Sequence, residues 1–273
     1  MRIDLHMHST ASDGQFAPEQ VAQFARDGRL DLIALADHDT TAGVAAATAA
    51  GAELSVEVIP AVEMSSTHEE RDLHILGYFV DPAAPVLLEH ADRARTFRES
   101  RMVRIIERLA RQDVHVTIEA VRVIAGADER RKSIGRPHLA RALLDAGYVA
   151  TVQEAFDRFI SDDHEAFVPT ALQSPAEAIA RIHEAGGVAV WAHPPRESME
   201  SLLPGFVRDG LEGLEVYRPT HSREYQAQLE QAAGRHGLVM TGGSDWHGTK
   251  DGTLGTFYVE APEIAEFLAR RGL

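Results

Sequence analysis

The sequence predicts an α/β fold built on a mainly parallel sheet, either open or closed into a barrel. Two observations carry this prediction. Short apolar runs bounded by Gly, Asp or Pro alternate with helical patterns in the opening and closing thirds of the chain. The middle third contains helical patterns and no convincing strand. Strand–helix alternation over this length is typical of an α/β domain, and the middle third then indicates a helical insertion within it.

The strands and helices of the two outer thirds are predicted from their turn residues. Pro18 and Pro175 stand at first-turn positions of helices, and Gly186 and Gly237 stand where helices end. The predicted helices are residues 18–27, 41–51, 174–186 and 225–237. The predicted strands are residues 2–8, 31–36, 55–62, 72–79, 187–192, 212–217 and 238–242.

The middle third divides the chain into two predicted units. Its helical patterns cover residues 87–112, 117–124, 136–146 and 151–159. We therefore expect a barrel domain of residues 1–85 and 165–273, and a helical insertion of residues 86–164 that contributes to the substrate pocket.

Composition excludes several classes of protein. The chain of 273 residues has no cysteine, which rules out disulfides and thiolate metal sites. No apolar run approaches the roughly 20 residues that span a bilayer. The N-terminus shows no signal-peptide pattern, so we expect a cytoplasmic protein. The net charge of −15 disfavours non-specific binding of nucleic acid. Nothing in the sequence predicts a protein partner.

Histidines and acidic residues lie at or near the ends of six predicted strands. His6 and His8 close the first strand, and residues two apart in a strand point to the same side. In parallel α/β folds the active site forms where the carboxyl ends of the strands meet. Nitrogen and oxygen ligands without sulfur suit Mn²⁺, Zn²⁺ or Fe²⁺. The predicted metal ligands are His6, His8, Asp13, His38, Glu63, His74, His193, Asp245 and His247.

Each of these groups has an ordinary structural explanation when it is taken alone. Asp13-Gly14 is a common turn, Asp37 to Asp39 a common helix cap, and a His-x-His pair is often exposed on a strand. The joint occurrence of nine such ligands at successive strand ends is what favours a metal centre.

Several motifs resemble those of the PHP (polymerase and histidinol phosphatase) domain family. They are Asp4-Leu5-His6-Met7-His8 through Asp13-Gly14, then Leu35-Ala36-Asp37-His38-Asp39, Glu63, Ala192-His193-Pro194 and Gly243-Ser244-Asp245-Trp246-His247. The resemblance implies a distorted (β/α)7 barrel with two or three divalent ions at its C-terminal mouth. It assigns His6, His8, Glu63 and Asp245 to one ion, Asp13, His38 and His247 to a second, and His74 and His193 to a third, with Glu63 bridging.

Two or three close divalent ions predict attack of metal hydroxide on a phosphate ester, with no protein nucleophile. Ser9 and Ser244 are therefore not expected to act covalently. We assign catalytic roles to four residues. Asp37 would orient His38 or a metal-bound water, and Asp245 would act as an ion ligand. Either His193 or His221 would act at the leaving oxygen.

Two basic elements outside the ligand set predict phosphate binding. One opens a helix in the insertion and supplies Lys132, Ser133, Arg136 and His138. The other follows a strand and supplies Arg218 and His221. Together they resemble the branch of the family that acts on nucleoside 3′,5′-bisphosphates and short RNA 5′ ends. That resemblance implies conversion of adenosine 3′,5′-bisphosphate to AMP and phosphate, most readily with Mn²⁺ and with Zn²⁺ or Fe²⁺ as alternatives.

Three other functions stay open from the sequence. A histidinol-phosphate phosphatase would share the metal chemistry but need a pocket for a cationic amine. A 5′–3′ exonuclease would act on short oligoribonucleotides. A non-catalytic nucleotide sensor would keep the barrel without turnover, although a complete ligand set speaks against it.

Overall fold

The strands form one sheet whose two edges nearly meet. The computed structural model describes residues 1–126, 134–248 and 253–270. Within these ranges eight strands lie in the order β7-β6-β5-β4-β3-β2-β1-β8. They are β1 Arg2–Met7, β2 Leu32–Leu35, β3 Glu57–His68, β4 Arg71–Tyr78, β5 Val188–Trp191, β6 Gly213–Tyr217, β7 Val239–Gly242 and β8 Val259–Glu260.

The sheet nearly closes because the chain returns to β1 after β7. The backbone N–H of Asp245 donates to the carbonyl of His6 at 2.8 Å, and that of His8 donates to the carbonyl of Trp246 at 2.9 Å. Met7 and Trp246 also form a parallel bridge. The prediction of a distorted (β/α)7 barrel is thus confirmed as a nearly closed, barrel-like sheet, to which β8 adds a short antiparallel strand beside β1.

The helices pack mainly outside the sheet, and their starts follow from local sequence. Ser174 accepts a hydrogen bond from the backbone N–H of Glu177 while the Glu177 side chain accepts from Ser174, a reciprocal cap that begins a helix. The helices are α1 Pro18–Asp27, α2 Val44–Leu54, α3 Pro85–Ala110, α4 Ile118–Ala125, α5 Arg136–Asp145, α6 Val152–Ala155, α7 Pro175–Glu184, α8 Met199–Arg208, α9 Arg223–His236 and α10 Ala265–Ala269. A π-helical turn, Phe156–Ile160, extends α6.

Strand β4 departs from a purely parallel sheet. It runs antiparallel to both β3 and β5, and β3 continues past Glu63 to His68 before a two-residue turn. Both turn residues, Glu69 and Glu70, have positive φ, as a tight hairpin requires. Glu63 therefore lies within its strand and not at its end. Because β4 is reversed, its first half, with Asp72 and His74, lies at the mouth of the barrel.

The helices between Pro85 and Ile160 share an apolar core of their own. Met102, Leu139, Leu143 and Val168 are buried together, apart from the clusters that line the two faces of the sheet. The division into barrel and insertion domains stays a prediction. None of the helices in the described ranges is long and apolar enough to cross a membrane.

A buried ion pair fastens α3 to the barrel. The carboxylate of Asp39 accepts hydrogen bonds from Arg98 at 2.9 and 2.7 Å, from the backbone N–H of Ser65 at 2.8 Å and from His90 at 2.9 Å. Burial raises the pKa of Asp39, but the charges of Arg98 and His90 outweigh it and hold the pKa well below its usual range. Arg98 is itself 6% exposed, so it depends on this carboxylate.

We predict that Asp39→Asn lowers the free energy of unfolding by about 3 kcal/mol, because it leaves a buried guanidinium without its counter-ion. The folded pKa of Asp39 lies below the unfolded value, so this stabilisation is present above about pH 4 and lost as the pH falls below that. Urea denaturation between about pH 7 and pH 3 should show a steeper loss for the unaltered protein than for the variant. Asp92→Asn, on an exposed position of α3, is the matched control; equal midpoints for the two variants would contradict the prediction.

Candidate metal centre

Four side chains from three parts of the sheet converge on one point at the barrel mouth. Nε2 of His6 lies 3.2 Å from Oε2 of Glu63 and 3.5 Å from Oδ1 of Asp245. Nε2 of His8 lies 3.2 and 3.1 Å from the same two oxygens. Ligands about 2.1 Å from one ion are separated by about 3.0 to 3.4 Å. These spacings therefore match the edges of a single coordination shell.

The approach of Asp245 to β1 depends on a glycine. A Cβ on Gly243 would lie 2.3 Å from the Cβ of His6, so only glycine lets the chain pass β1 at this distance. Asp245 then takes a left-handed backbone with φ of 56°, and its backbone N–H binds the carbonyl of His6. The sequence Gly242-Gly243-Ser244-Asp245 thus positions the carboxylate beside the first strand.

Two further groups of ligand atoms adjoin the first. His8, Asp13, His38 and His247 form one, in which Nε2 of His247 lies 3.3 Å from Oδ1 of Asp13. The other contains His38, Glu63 and His74. Within each group the ligand atoms lie within 4.8 Å of one another.

His193 joins this last group from the end of β5. Its Nε2 lies 3.0 Å from Oε1 of Glu63 and 3.2 Å from Nδ1 of His74, and His74 lies 2.9 Å from the same oxygen. All nine ligands predicted from the sequence therefore meet in one cluster.

The ligand atoms are arranged to bind metal ions and not to form hydrogen bonds with one another. Nδ1 of His6 lies 2.8 Å from Oε1 of Glu215, so in the neutral ring this nitrogen donates and Nε2 carries a lone pair. That lone pair faces Oε2 of Glu63, and neither atom has a hydrogen-bond partner among the described residues. A buried arrangement of lone pair against carboxylate is unfavourable unless a cation lies between them. The residues present thus fit a bound divalent ion.

Within the cluster, neighbouring charges control the pKa of Glu63, whereas burial controls the pKa of His38. Burial raises the pKa of Glu63, but the charges of His6 and His74 outweigh the effect of burial and hold the pKa of Glu63 well below its usual range. Burial lowers the pKa of His38 to about 3, which keeps that ring in the neutral form that binds metals. Glu63 is therefore the charged centre of the cluster.

A carboxylate that was not predicted as a site residue holds several parts of the site together. Glu215, fully buried on β6, accepts from Nδ1 of His6 at 2.8 Å and from the backbone N–H of His193 at 2.7 Å. A carboxylate behind a metal-ligating histidine fixes the ring and its tautomer. The signal in the sequence was a lone charge inside the apolar strand Gly213–Tyr217.

Asp37 faces the loop after β1 and not the ligand cluster. Its carboxylate accepts from the backbone N–H and the hydroxyl of Ser9 at 2.8 and 2.6 Å, and from the hydroxyl of Ser12 at 2.6 Å. These contacts hold the loop that carries Asp13. Asp39 binds Arg98 and His90, as described above.

The predicted phosphate-binding residues of the insertion divide into three groups. Arg136 lines a pocket beside the ligands, and its guanidinium donates to Asp162 at 2.5 Å. His138 is buried and accepts from the backbone N–H of Gly135 at 3.0 Å, which shapes the start of α5. Lys132 and Ser133 lie outside the described residues.

Arg218 and His221 lie on the β6 side of the cluster. Arg218 donates to Oδ2 of Asp245 at 2.7 Å and lies 3.5 Å from Glu215. Nδ1 of His221 lies 2.9 Å from the carbonyl of Val216. Burial lowers the pKa of His221, which favours the neutral ring.

The pocket beside the cluster brings ligands and guanidinium groups together. Its lining includes ligand side chains, Asp13, His38, His74 and His247, and three arginines, Arg98, Arg101 and Arg136. Arg98 and Arg101 were not predicted as site residues. Their spacing of three residues on one face of α3 was the available signal, but it equally suits a solvent-exposed helix.

A barrel with clustered histidine and carboxylate ligands beside an arginine-lined pocket defines a metal-dependent phosphoesterase. The comparisons with known proteins agree. Residues 4–171 match the family model described as the PHP domain, and the chain belongs to that family.

Three relatives show how far the similarity extends. A 3′,5′-nucleoside bisphosphate phosphatase of Chromobacterium violaceum is 34% identical, over 92% of this chain and 88% of that protein. A 5′–3′ exoribonuclease of Haemophilus influenzae is 32% identical, over 90% of each. A solved structure of an amidohydrolase from Chromobacterium violaceum superposes with a TM-score of 0.88 at 31% identity, covering 99% of this chain and 97% of that one.

We predict that Glu215→Gln weakens metal binding about 10- to 100-fold, because the amide no longer fixes the His6 tautomer as a carboxylate does. Isothermal titration of the metal-free protein with Mn²⁺ measures the change. Glu212→Gln is the matched control, since this partly exposed residue immediately precedes the same strand and pairs with His183. Unchanged Mn²⁺ affinity in Glu215→Gln would show that this carboxylate only stabilises the fold.

Proposed function

We propose that this protein removes the 3′-phosphate of nucleoside 3′,5′-bisphosphates, so that adenosine 3′,5′-bisphosphate gives AMP and phosphate in the cytosol. The observation that carries the proposal is the pocket that is lined by metal ligands and by arginines together. A substrate with two phosphates on one sugar can place one phosphate at the metal ligands and the other at the arginines. The similarity to a bisphosphate phosphatase supports this choice.

We further propose that the cluster holds two or three divalent ions, with Mn²⁺ preferred over Zn²⁺ and Fe²⁺. The three groups of ligand atoms support this number. An all-nitrogen and oxygen ligand set suits these ions. His6, His8, Glu63 and Asp245 would hold the first, Asp13, His38 and His247 the second, and His74 and His193, with Glu63, the third.

Bound ions of this kind activate a water molecule and polarise the phosphoryl oxygens. The protein side chains supply position and charge. Glu63 sets the spacing of the ligand groups, Glu215 orients His6, and Asp37 positions the Asp13 loop through Ser9 and Ser12.

Side chains outside the metal cluster would bind the second phosphate and contact the leaving oxygen. Arg136 would bind the phosphate that is not hydrolysed, with Lys132, Ser133 and His138 contributing from the same segment. Arg218 contacts the metal ligand Asp245, and its positive charge there would also favour binding of the substrate's phosphate. At the leaving oxygen we place His221, whose Nδ1–H donates to the carbonyl of Val216. Its Nε2 would have to take up a proton first, so that the imidazolium donates this proton to the leaving oxygen.

A turnover screen with Mn²⁺ tests the proposed substrate, with release of inorganic phosphate measured for the phosphate monoesters and release of mononucleotides measured for RNA. The panel contains adenosine 3′,5′-bisphosphate, histidinol phosphate and a 5′-phosphorylated trinucleotide of RNA. We expect the highest kcat/KM for the bisphosphate, by about tenfold or more, since two charged contacts outweigh one. Higher kcat/KM for the trinucleotide would favour the exonuclease, and higher kcat/KM for histidinol phosphate would favour that phosphatase. No turnover of any substrate would favour the nucleotide sensor.

Metal content provides a separate test of the ligand assignment. Elemental analysis after dialysis against Mn²⁺ should find two or three ions per chain, and Glu63→Gln should lose at least one because the shared carboxylate is gone. Glu57→Gln, exposed at the start of the same strand β3, should keep the full content. Equal metal content in all three proteins would refute the assignment of Glu63.

A further inference from the structure

A carboxylate of the protein, Asp72, lies beside two arginines of the pocket, where an anion of the substrate could bind. Oδ2 of Asp72 accepts from Arg101 at 2.7 Å and from the hydroxyl of Thr170 at 2.8 Å, and a second guanidinium, that of Arg136, approaches it to 3.8 Å. Oδ1 accepts from the backbone N–H of Thr170 at 2.7 Å. The hydroxyl of Thr67 also donates to Oδ1, at 3.4 Å. Five groups from four segments therefore surround one carboxylate, as they would surround an oxyanion.

Two contacts besides this carboxylate hold the guanidinium of Arg101 in place. Its Nε donates to the carbonyl of Val168 at 2.5 Å, and its Cζ lies 5.6 Å from the centroid of the Phe167 ring. Arg136 lies 5.2 Å from the same ring. Burial lowers the pKa of Arg101 to about 10 although Asp72 opposes the shift. A more highly charged anion would compensate this buried cation better than a single carboxylate does.

The position of Asp72 relates this anion site to the metal ligands. Asp72 and His74 are two residues apart on β4, so their side chains leave the same face of the strand, about 7 Å apart. The two line one pocket. One sugar carrying phosphates on two of its carbons can span a distance of this order.

We propose that Asp72 is an internal substitute for the second phosphate. When the substrate binds, Arg101 transfers from Asp72 to that phosphate, and Arg136 transfers to it from Asp162 and from the neighbourhood of Asp72. The proposal rests on the proposed function and adds the residues that select a doubly phosphorylated substrate. A phosphate dianion can compete with Asp72 for two guanidinium groups. An uncharged 5′-hydroxyl cannot, so a nucleoside 3′-monophosphate gains nothing from these arginines.

The ratio of kcat/KM for adenosine 3′,5′-bisphosphate to that for adenosine 3′-monophosphate tests the selection. Arg101→Ala should lower this ratio about 10- to 100-fold, because a hydrogen bond to a charged group is lost for one substrate only. Arg104→Ala, one turn further along α3 and exposed, should leave the ratio as it is. An unchanged ratio in Arg101→Ala would overturn the proposal.

Asp72→Asn gives a prediction of opposite sign. Removing the competing charge should raise the ratio, whereas a purely structural Asp72 would lower kcat/KM for both substrates equally and so contradict the proposal. Arg101→Lys keeps the charge, and serves if the alanine variant fails to fold; it should lower the ratio less.

Direct binding separates this proposal from the proposed function. AMP carries only the 5′-phosphate, and its affinity for the metal-free protein can be measured by titration calorimetry against that of adenosine. Arg101→Ala should abolish the preference for AMP, and a retained preference would refute the role of Arg101. If the unaltered protein binds AMP in preference to adenosine but hydrolyses no bisphosphate, the function is wrong while the anion site stands.

Discussion

The structure depends on one buried carboxylate that lies among five imidazole rings. Glu63 is fully buried, and its two oxygens lie between 2.9 and 3.2 Å from nitrogens of His6, His8, His38, His74 and His193. A charge of this kind is stable in the interior only when cations surround it. Protonated rings can supply some of that charge, but five of them would repel one another. Divalent ions supply more charge at fewer points, and they turn the lone pairs of neutral rings into ligands.

The topology of the sheet follows from this requirement. The five rings come from β1, the end of β2, β4 and the end of β5, while the carboxylate lies in β3. A parallel β4 would carry its early residues to the closed end of the barrel. The hairpin at Glu69 and Glu70 reverses the strand, so that Asp72 and His74 reach the mouth. The reversal places a metal ligand and an anion-binding residue on one strand.

Much of this architecture could be predicted from the sequence, because strand ends carry recognisable ligands and turns carry Gly or Pro. The nine predicted ligands do lie together, although Glu63 lies within β3 and His74 in the first half of β4, and not at strand ends. The reversal of β4 could not be predicted, since periodicity reports which faces are buried and not the direction of a strand. Helix α8 was missed because Pro204 and Gly205 lie inside it, and β8 has only two residues. Glu215, Asp72 and Arg101 were missed because their roles depend on contacts between segments far apart in the sequence.

The arginines of the site share one physical property, which is that each binds a carboxylate in this structure. Arg98 binds Asp39, Arg101 binds Asp72, Arg136 binds Asp162 and Arg218 binds Asp245. A buried guanidinium without a partner would cost several kcal/mol, so such pairing is the condition for placing these cations beside the metal ligands at all. The partners differ in exposure and in other contacts. Asp39 is enclosed by His90 and Ser65 and can only be structural, whereas Asp72 borders the pocket and shares its oxygen between two guanidinium groups. Selectivity for a second phosphate therefore depends on how readily each carboxylate releases its arginine. Asp72 lines the pocket together with Arg101 and Arg136, so it is the carboxylate with which a phosphate bound there would compete.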